Sequence, residues 1–506
     1  MLPVPDNKPE SYNQILKSTS VIGGAAGVNL LLSLLRMKFA ALFIGPVGVG
    51  LVGTYQVIQG MVGTVAGLGL QQSAVRDIVE AVGKGDDDAI GRSILSLRRI
   101  CWLTGLIGMI AMVALAAPLG KYTFDSTDYT LDIALLGPII FLANVQAGQA
   151  AILQGMRRIG DLARLNVIGA AVGTVVAVAL YAWLGVRGII PSLLLIALIQ
   201  LLVTWYFSMR VTVPAVELSW KESFQAADAM IRLGVVFMWN GLLIALVAYL
   251  TRSWITQELD LVAVGIFTAA FSLSGMFINF ILGAMGADYY PRLTEASHDH
   301  GAMGRLVNEQ TEIGLLLAVP GLLATLTLAP WIISLFFTRE FLPAAGLLQW
   351  FILGCLGRVI SWPLGFVMLA LGKARWFFIT ETSANFLHLL MIWLGLAVLG
   401  LEGVAIAFFC LYVFYIAAVY GLARHLIGFS WAGTTLRLLY IFLPIMIGAF
   451  FFGRLLALPA ATMVGGIVTC LATLFCVREL VQRLGNEDRM VRMIFLVPGV
   501  RWVCSL

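Results

Sequence analysis

Charge is what this sequence has least of. Asp, Glu, Lys and Arg make up 12% of 506 residues while 60% are hydrophobic, against about 25% and 45–50% in soluble domains. A chain this long would ordinarily form about three soluble domains, and so few ionisable groups cannot coat them. That excludes the soluble globular class and leaves a bilayer as the medium for the apolar surface. Cysteine is also sparse: six residues, Cys101, Cys355, Cys410, Cys470, Cys476 and Cys504, none in a CxxC pair, read as buried reduced thiols. No GxxxxGK[ST] occurs, and Gly83-Lys-Gly-Asp-Asp-Asp88 lacks its spacing, so this chain alone is not expected to use ATP. Of four histidines, His298 and His300 flank Asp299 without a third ligand, so no metal centre and no cofactor is expected. The first apolar run extends to about Phe43, beyond the 7–15 residues of a signal-peptide core, and is read as a retained anchor.

What is abundant is long apolar runs. They fall at about 18–44, 47–70, 94–117, 130–153, 163–184, 188–210, 232–255, 261–286, 311–336, 344–370, 377–400, 403–425, 436–457 and 459–478. Each is long enough to span as a helix. Continuously apolar stretches such as 105–117 do not alternate as barrel strands do, so the expected fold is an all-α polytopic membrane protein with about 14 transmembrane helices. With the N-terminus cytoplasmic, 24 Lys and Arg fall on the inner side and five (Lys121, Arg187, Arg252, Arg339, Arg454) on the outer side. The positive-inside rule then places both termini in the cytoplasm. This asymmetry absorbs most of the net charge of +5, and no nucleic-acid partner is needed to explain it.

A repeat appears at a spacing of about 215 residues. Val47-Gly-Val-Gly50-Leu51 recurs as Val262-Ala-Val-Gly265-Ile266, and Gly60-Met61 as Gly275-Met276. Arg76 and Arg92 match Arg292 and Arg305, Gly155-Met-Arg-Arg158 matches Gly372-Lys-Ala-Arg375, and Leu184-Gly185-Val-Arg-Gly188 matches Leu399-Gly400-Leu-Glu-Gly403. Six runs per copy is an even number, so the copies share one orientation. The expectation is two parallel six-helix lobes, 18–210 and 232–425, around a central cleft. A cytoplasmic segment 1–17, a linker 211–231, an extra helix pair 436–478 and a basic tail 479–506 complete the chain, the tail contacting anionic lipid.

Ionisable groups inside spans are costly and mark cavities or partners. Arg358 lies about 18–21 Å from either end of its run at 1.5 Å per residue. It is read as a cavity-lining anion contact, the alternative being a bond to carbonyls freed near Pro363. Arg36 and Lys38 lie in the outer third of the first run, about 200° apart around the helix, so one faces the cleft and the other reaches headgroups. Arg252 occupies the same level in the other lobe, as a substrate contact or as an interface anchor beside Trp254. Asn29, Asn144, Asn240 and Asn385 supply neutral groups, and Gln56 with Gln59 and Gln146 with Gln149 present paired amides suited to a sugar. Glu381 and His388 share a helix face and are candidates for coupling or gating, as are Asp288 and Arg292, although Glu381 could pair with Arg375 and Asp288–Arg292 reads equally as an i,i+4 surface pair. Fixed positive charge with almost no deep carboxylate suits an anion such as pyrophosphate. The short outer connections argue against a membrane polymerase or ligase, and the chain is expected not to be an enzyme.

Gly45-Pro46-Val-Gly48-Val-Gly50 after the first run, with two six-helix copies, resembles the multidrug/oligosaccharidyl-lipid/polysaccharide flippase (MOP) superfamily. Within it the chain is most similar to the Wzx-type flippases of undecaprenyl-pyrophosphate-linked oligosaccharides, the O-antigen and common-antigen translocases. The resemblance, over about 18–425, is carried by Arg36-Met-Lys38, Thr127-Asp128-Tyr129, Leu153-Gln-Gly-Met-Arg157, Tyr290-Pro-Arg-Leu-Thr-Glu295, Trp350 with Arg358, and Arg375-Trp-Phe-Phe-Ile-Thr-Glu381. It implies a monomer in the bacterial inner membrane whose Lys38 and Arg358 hold the pyrophosphate, with a polysaccharide polymerase and a chain-length regulator as partners. Relatives in that subgroup usually have 12 helices and lipid II flippases 14, so a lipid II substrate and a cation-coupled multidrug exporter stand as alternatives.

Overall fold

The computed structural model describes residues 8–214 and 216–484. In lipid each backbone donor and acceptor must be satisfied within its own segment, and the described residues form helices joined by turns and short connections, without a strand. The helices are α1 (Lys8–Gly67), α2 (Leu70–Lys84), α3 (Asp87–Phe124), α4 (Thr130–Gly155), α5 (Ile159–Leu184), α6 (Ile189–Ser208), α7 (Trp220–Glu258) and α8 (Leu261–Glu295). They continue as α9 (His300–Thr327), α10 (Ala329–Phe336), α11 (Ala344–Ala370), α12 (Ala374–Ile427), α13 (Gly433–Leu455) and α14 (Leu458–Leu484). The chain is a multi-pass membrane protein: among the described residues ten helical stretches are long and apolar enough to cross a bilayer, and α7, bent by 45°, makes eleven. The difference from 14 apolar runs lies in three stretches, 24–67, 159–208 and 374–427, of 44, 50 and 54 residues. They amount to about 66–81 Å of helix against a hydrocarbon core of roughly 30 Å. The first bends at Gly45 (φ 60°, ψ −170°), the second turns at Gly185 (φ 58°, ψ −135°), and the third bends at Gly400 (φ 61°, ψ −144°).

The described chain parts into two compact units, one ending at Gly265 and one beginning at Ile266. In the first, Tyr55, Ile58, Met112, Ile133, Ile140 and Tyr181 form one core. Ile78, Ile94, Leu97, Leu153 and Met230 form another. α3 and α7 start on polar caps. Asp86 Oδ1 accepts from the Ala89 N–H at 3.0 Å, and Ser219 with Glu222 makes a capping box on α7. The segment leading into α7 is strapped to α3 by Arg99, which donates to the carbonyls of Leu218 (2.9 Å) and Ser219 (3.1 Å) and to Ser223 Oγ (2.7 Å). α7 also packs closely on the turn between α1 and α2, where a Cβ at Gly69 would overlap the Gly234 carbonyl.

In the second unit α11 is the most enclosed span, and Tyr289, Leu293, Val367, Met368 and Phe429 form a core beside it. Two polar clamps fasten α13 and α14. At one end Arg454 and Trp350 Nε1 both donate to Glu402 Oε1, at 2.5 and 2.8 Å. At the other, Thr434 and Thr435 donate to Glu312 Oε1 on α9 at 2.6 and 2.7 Å. Arg483 reaches Glu312 Oε2 at 3.2 Å and Glu479 at 2.7 Å. Asn308 accepts from the Ala432 N–H at 2.9 Å and donates to the Ser430 carbonyl at 3.1 Å. α14 therefore runs past the expected start of the basic tail at 479, and Glu479 and Arg483 belong to a buried network. Arg489, Arg492 and Arg501, like Cys504, lie outside the described residues.

The repeat is visible in the backbone. After α4 the N–H groups of Met156, Arg157 and Arg158 donate to the carbonyls of Ile152, Gln154 and Leu153. After α11 the N–H groups of Leu371, Gly372 and Lys373 donate to those of Val367, Leu369 and Met368, each residue 215 positions on. The turning residue has a left-handed φ in both copies, 54° at Arg157 and 65° at Gly372. This corrects the sequence alignment, which paired Gly155 with Gly372. Gly185 and Gly400, also 215 apart, share a backbone conformation within about 10° in each angle.

Candidate functional site

In the second unit the structure gathers Arg358, Glu381 and His388 along one aromatic wall. Arg358 sits on α11, 14 and 12 residues from its ends, about 21 and 18 Å. It is half-buried, and among the described residues its guanidinium makes no ion pair. Tyr412 on the second half of α12 lies within electrostatic reach of Arg358 and also of Glu381. Glu381 Oε1 accepts from Tyr415 Oη at 2.5 Å, which is its partner in place of the Arg375 pairing that sequence offered. Asn385 donates back to the Glu381 carbonyl at 2.8 Å. The His388 ring stands 6.1 Å from Phe408, and Phe408 stands 5.0 Å from Tyr412. The result is a cation without an ion pair and a tyrosine-held carboxylate, both within electrostatic reach of Tyr412, a setting in which an anion and a proton can bind near one another. Asp288 and Arg292 are elsewhere, an exposed pair at 3.3 Å on α8.

The first unit distributes its candidates more widely. Arg252 is buried, 7% exposed, and donates to the Ala248 carbonyl at 3.2 Å, so it is enclosed by protein. Arg36, half-buried on α1, lies within electrostatic reach of Tyr181 on α5. Lys38 is half-buried on the same helix, as are Asn29 and Gln59, while Gln56 is exposed. Gln146 donates to Thr204 Oγ1 at 3.2 Å and Gln149 accepts from Ser208 Oγ at 2.7 Å, so this amide pair joins α4 to α6. Asn29, Asn144 and Asn240 each hold a buried amide atom without a partner among the described residues.

Sequence reasoning missed two acidic groups. Asp132 in the first turn of α4 accepts from Tyr55 Oη at 2.7 Å, and the Tyr55, Phe124 and Tyr129 rings cluster around it. Glu312, 8% exposed, was hidden because the apolar run starts at 311 whereas α9 starts at His300, 11 residues earlier. The signal was present: Asn308 and Glu312 are four apart, on one helix face. Outside the spans, Asp299 caps α9 and two backbone N–H groups hold its carboxyl below the usual range.

The family model described as "Polysaccharide biosynthesis protein" matches residues 15–297, which is more than half of the chain. The chain belongs to this polysaccharide biosynthesis protein family. Among curated proteins it is similar to the lipid III flippase of Escherichia coli (strain K12), 22% identical over 404 residues that cover 77% of this chain and 93% of that one. The lipid III flippase of Shigella flexneri matches equally. Among solved structures, an inward-facing multidrug resistance MATE transporter of the MOP superfamily aligns with TM-score 0.69 at 16% identity, over 79% of this chain and 94% of its own. The lipid II flippase MurJ, in an inward closed conformation, aligns with TM-score 0.63 at 13% identity, over 92% of this chain and 100% of its own. The family member described here thus has the MOP-superfamily fold.

Proposed function

We propose that this chain is a flippase moving an undecaprenyl-pyrophosphate-linked oligosaccharide, an O-antigen or common-antigen repeat unit, from the cytoplasmic to the periplasmic leaflet by alternating access. It would act without covalent chemistry, as a monomer in the bacterial inner membrane with both termini cytoplasmic, each of the three longest helical stretches crossing twice to give 14 passes. The observation that carries the reading is Arg358, a half-buried cation near the middle of a span with no acidic partner among the described residues. A pyrophosphate supplies the missing counter-charge, and charge-assisted hydrogen bonds make that contact strong. The printed function of the E. coli and S. flexneri relatives supports the same substrate class. Lys38 or Arg36 would assist in the first unit, and Glu381 with Tyr415 and His388 would bind the coupling proton. A polysaccharide polymerase would receive the product, with a chain-length regulator.

The test is the sidedness of lipid-linked oligosaccharide in cells or vesicles carrying Arg358→Gln at normal protein level. Loss of a charged hydrogen bond of about 1.5–3 kcal/mol predicts roughly 10- to 150-fold slower export, with Arg358→Lys intermediate. Unchanged export in Arg358→Gln overturns the assignment. In the parent protein, accumulation of lipid II on depletion would move the substrate to peptidoglycan precursor, and drug efflux without any lipid-linked sugar moving would favour an exporter. Glu381→Gln is expected to abolish dependence of export on an imposed pH gradient.

A further inference from the structure

The strongest feature outside the candidate site is a reciprocal contact in the first unit, where 46–50, at the bend of α1, meets 261–265, at the start of α8. A Cβ added at Gly50 would overlap the Leu261 carbonyl oxygen and stand 3.0 Å from the Gly265 nitrogen. A Cβ added at Gly265 would overlap the Pro46 carbonyl oxygen. Pro46 and Leu261 are 215 positions apart, and so are Gly50 and Gly265. The two copies of the repeat therefore touch at equivalent residues, each glycine seated on the carbonyl four residues before its counterpart. Backbones this close leave no room for any other residue type. The side chains three residues before each glycine face outward: Val47 is 40% exposed and Val262 37%. Gly63, on the same helix as Gly50, has open space where its Cβ would lie.

We infer that Gly50 and Gly265 are the outer gate of translocation. The two bends close backbone to backbone at the periplasmic end, and they separate when the protein opens outward. Two features make this pair a gate. The contact joins segments distant in sequence at the ends of spans, where α1 is already bent at Gly45. At the two glycines it is also made by peptide groups, whose carbonyls water or headgroups can solvate once the backbones part, while Leu261 packs beside it on the core that holds Ile44 and Leu51. The inference rests on the flippase reading for its direction of transport, and the gate itself can be measured without substrate.

Val47→Cys and Val262→Cys, introduced into a chain whose six native cysteines are replaced by serine, carry spin labels for distance measurement by double electron–electron resonance in vesicles. A short-distance peak is expected with both glycines present. Gly50→Ala or Gly265→Ala should remove that peak in favour of longer distances and increase labelling by a membrane-impermeant maleimide from the outside, while Gly63→Ala leaves both unchanged. A short peak that persists in both gate variants overturns the gate. If neither variant accumulates folded, the same cysteine pair bridged by a short bismaleimide decides: bridging should stop lipid-linked oligosaccharide movement, and movement undiminished by complete bridging overturns the gate. Distances that respond as expected in a protein that flips no lipid-linked sugar would retain the gate and remove the substrate assignment.

Discussion

At the scale of single residues, the polar groups divide into those with protein partners and those without. Glu312 belongs to the first kind: it accepts from Thr434, Thr435 and Arg483, and its side chain is 10% exposed. Glu312→Gln keeps the shape and removes the charge, so the cost is that of weakening hydrogen bonds to an ionised group, about 1.5–3 kcal/mol. Thermal unfolding in detergent should show a lowered midpoint, and a double-mutant cycle with Arg483→Met should give a coupling energy of the same sign. Arg358 belongs to the second kind and was legible from sequence because a lone cation in an apolar run has few explanations. The Tyr415 bond to Glu381 was not legible, since it joins residues 34 apart on a helix that bends back at Gly400. The Gln146–Gln149 pair shows the converse limit: i,i+3 spacing places two amides on one side, but only the packing shows that this side faces α6.

At the scale of elements, the turns carry the evidence of duplication. Gly185 and Gly400 adopt positive φ with ψ near −140°, a region essentially confined to glycine, where another residue costs of order 1–3 kcal/mol. Neither site crowds a Cβ, so Gly185→Ala and Gly400→Ala isolate backbone strain and should lower stability by similar amounts. The turn after α4 offers the opposite experiment. Arg157 holds a left-handed φ of 54° where the second copy has Gly372, and such a conformation costs an L-residue roughly 1–2 kcal/mol. Arg157→Gly should therefore be neutral to stabilising, and Gly372→Arg destabilising. Melting temperatures of the purified variants check both. The glycine matches were readable in the sequence; the two-residue error at this turn arose because the first copy lacks the glycine that marks it.

At the scale of the whole molecule, composition pointed to the medium, and the continuously apolar runs gave the helical class and located nearly every crossing segment. They did not reveal the bonds of the extra helix pair. α13 is tied at both ends, to α9 by Glu312 with Asn308 and to α11 and α12 by Glu402 with Arg454 and Trp350, and α14 is tied to α9 by Arg483. A chain ending after Gly428 would leave Glu312 and Asn308 without those partners inside an apolar unit. It should give little monodisperse protein on size-exclusion chromatography, and replacing both residues with apolar ones of similar volume should recover part of the yield. The pair is thus expected to be an obligatory part of the second unit.

The contact of Gly50 and Gly265 has a further consequence. Pro46 touches Gly265 while Leu261 approaches Gly50, so residue i meets j′ as j meets i′, which defines an isologous interface. A local two-fold axis passes between the segments, as between identical subunits of a symmetric homodimer. The seam has the form expected if a half-length ancestor paired with itself before its gene was doubled, and each glycine has since been held in place by the backbone of the other copy.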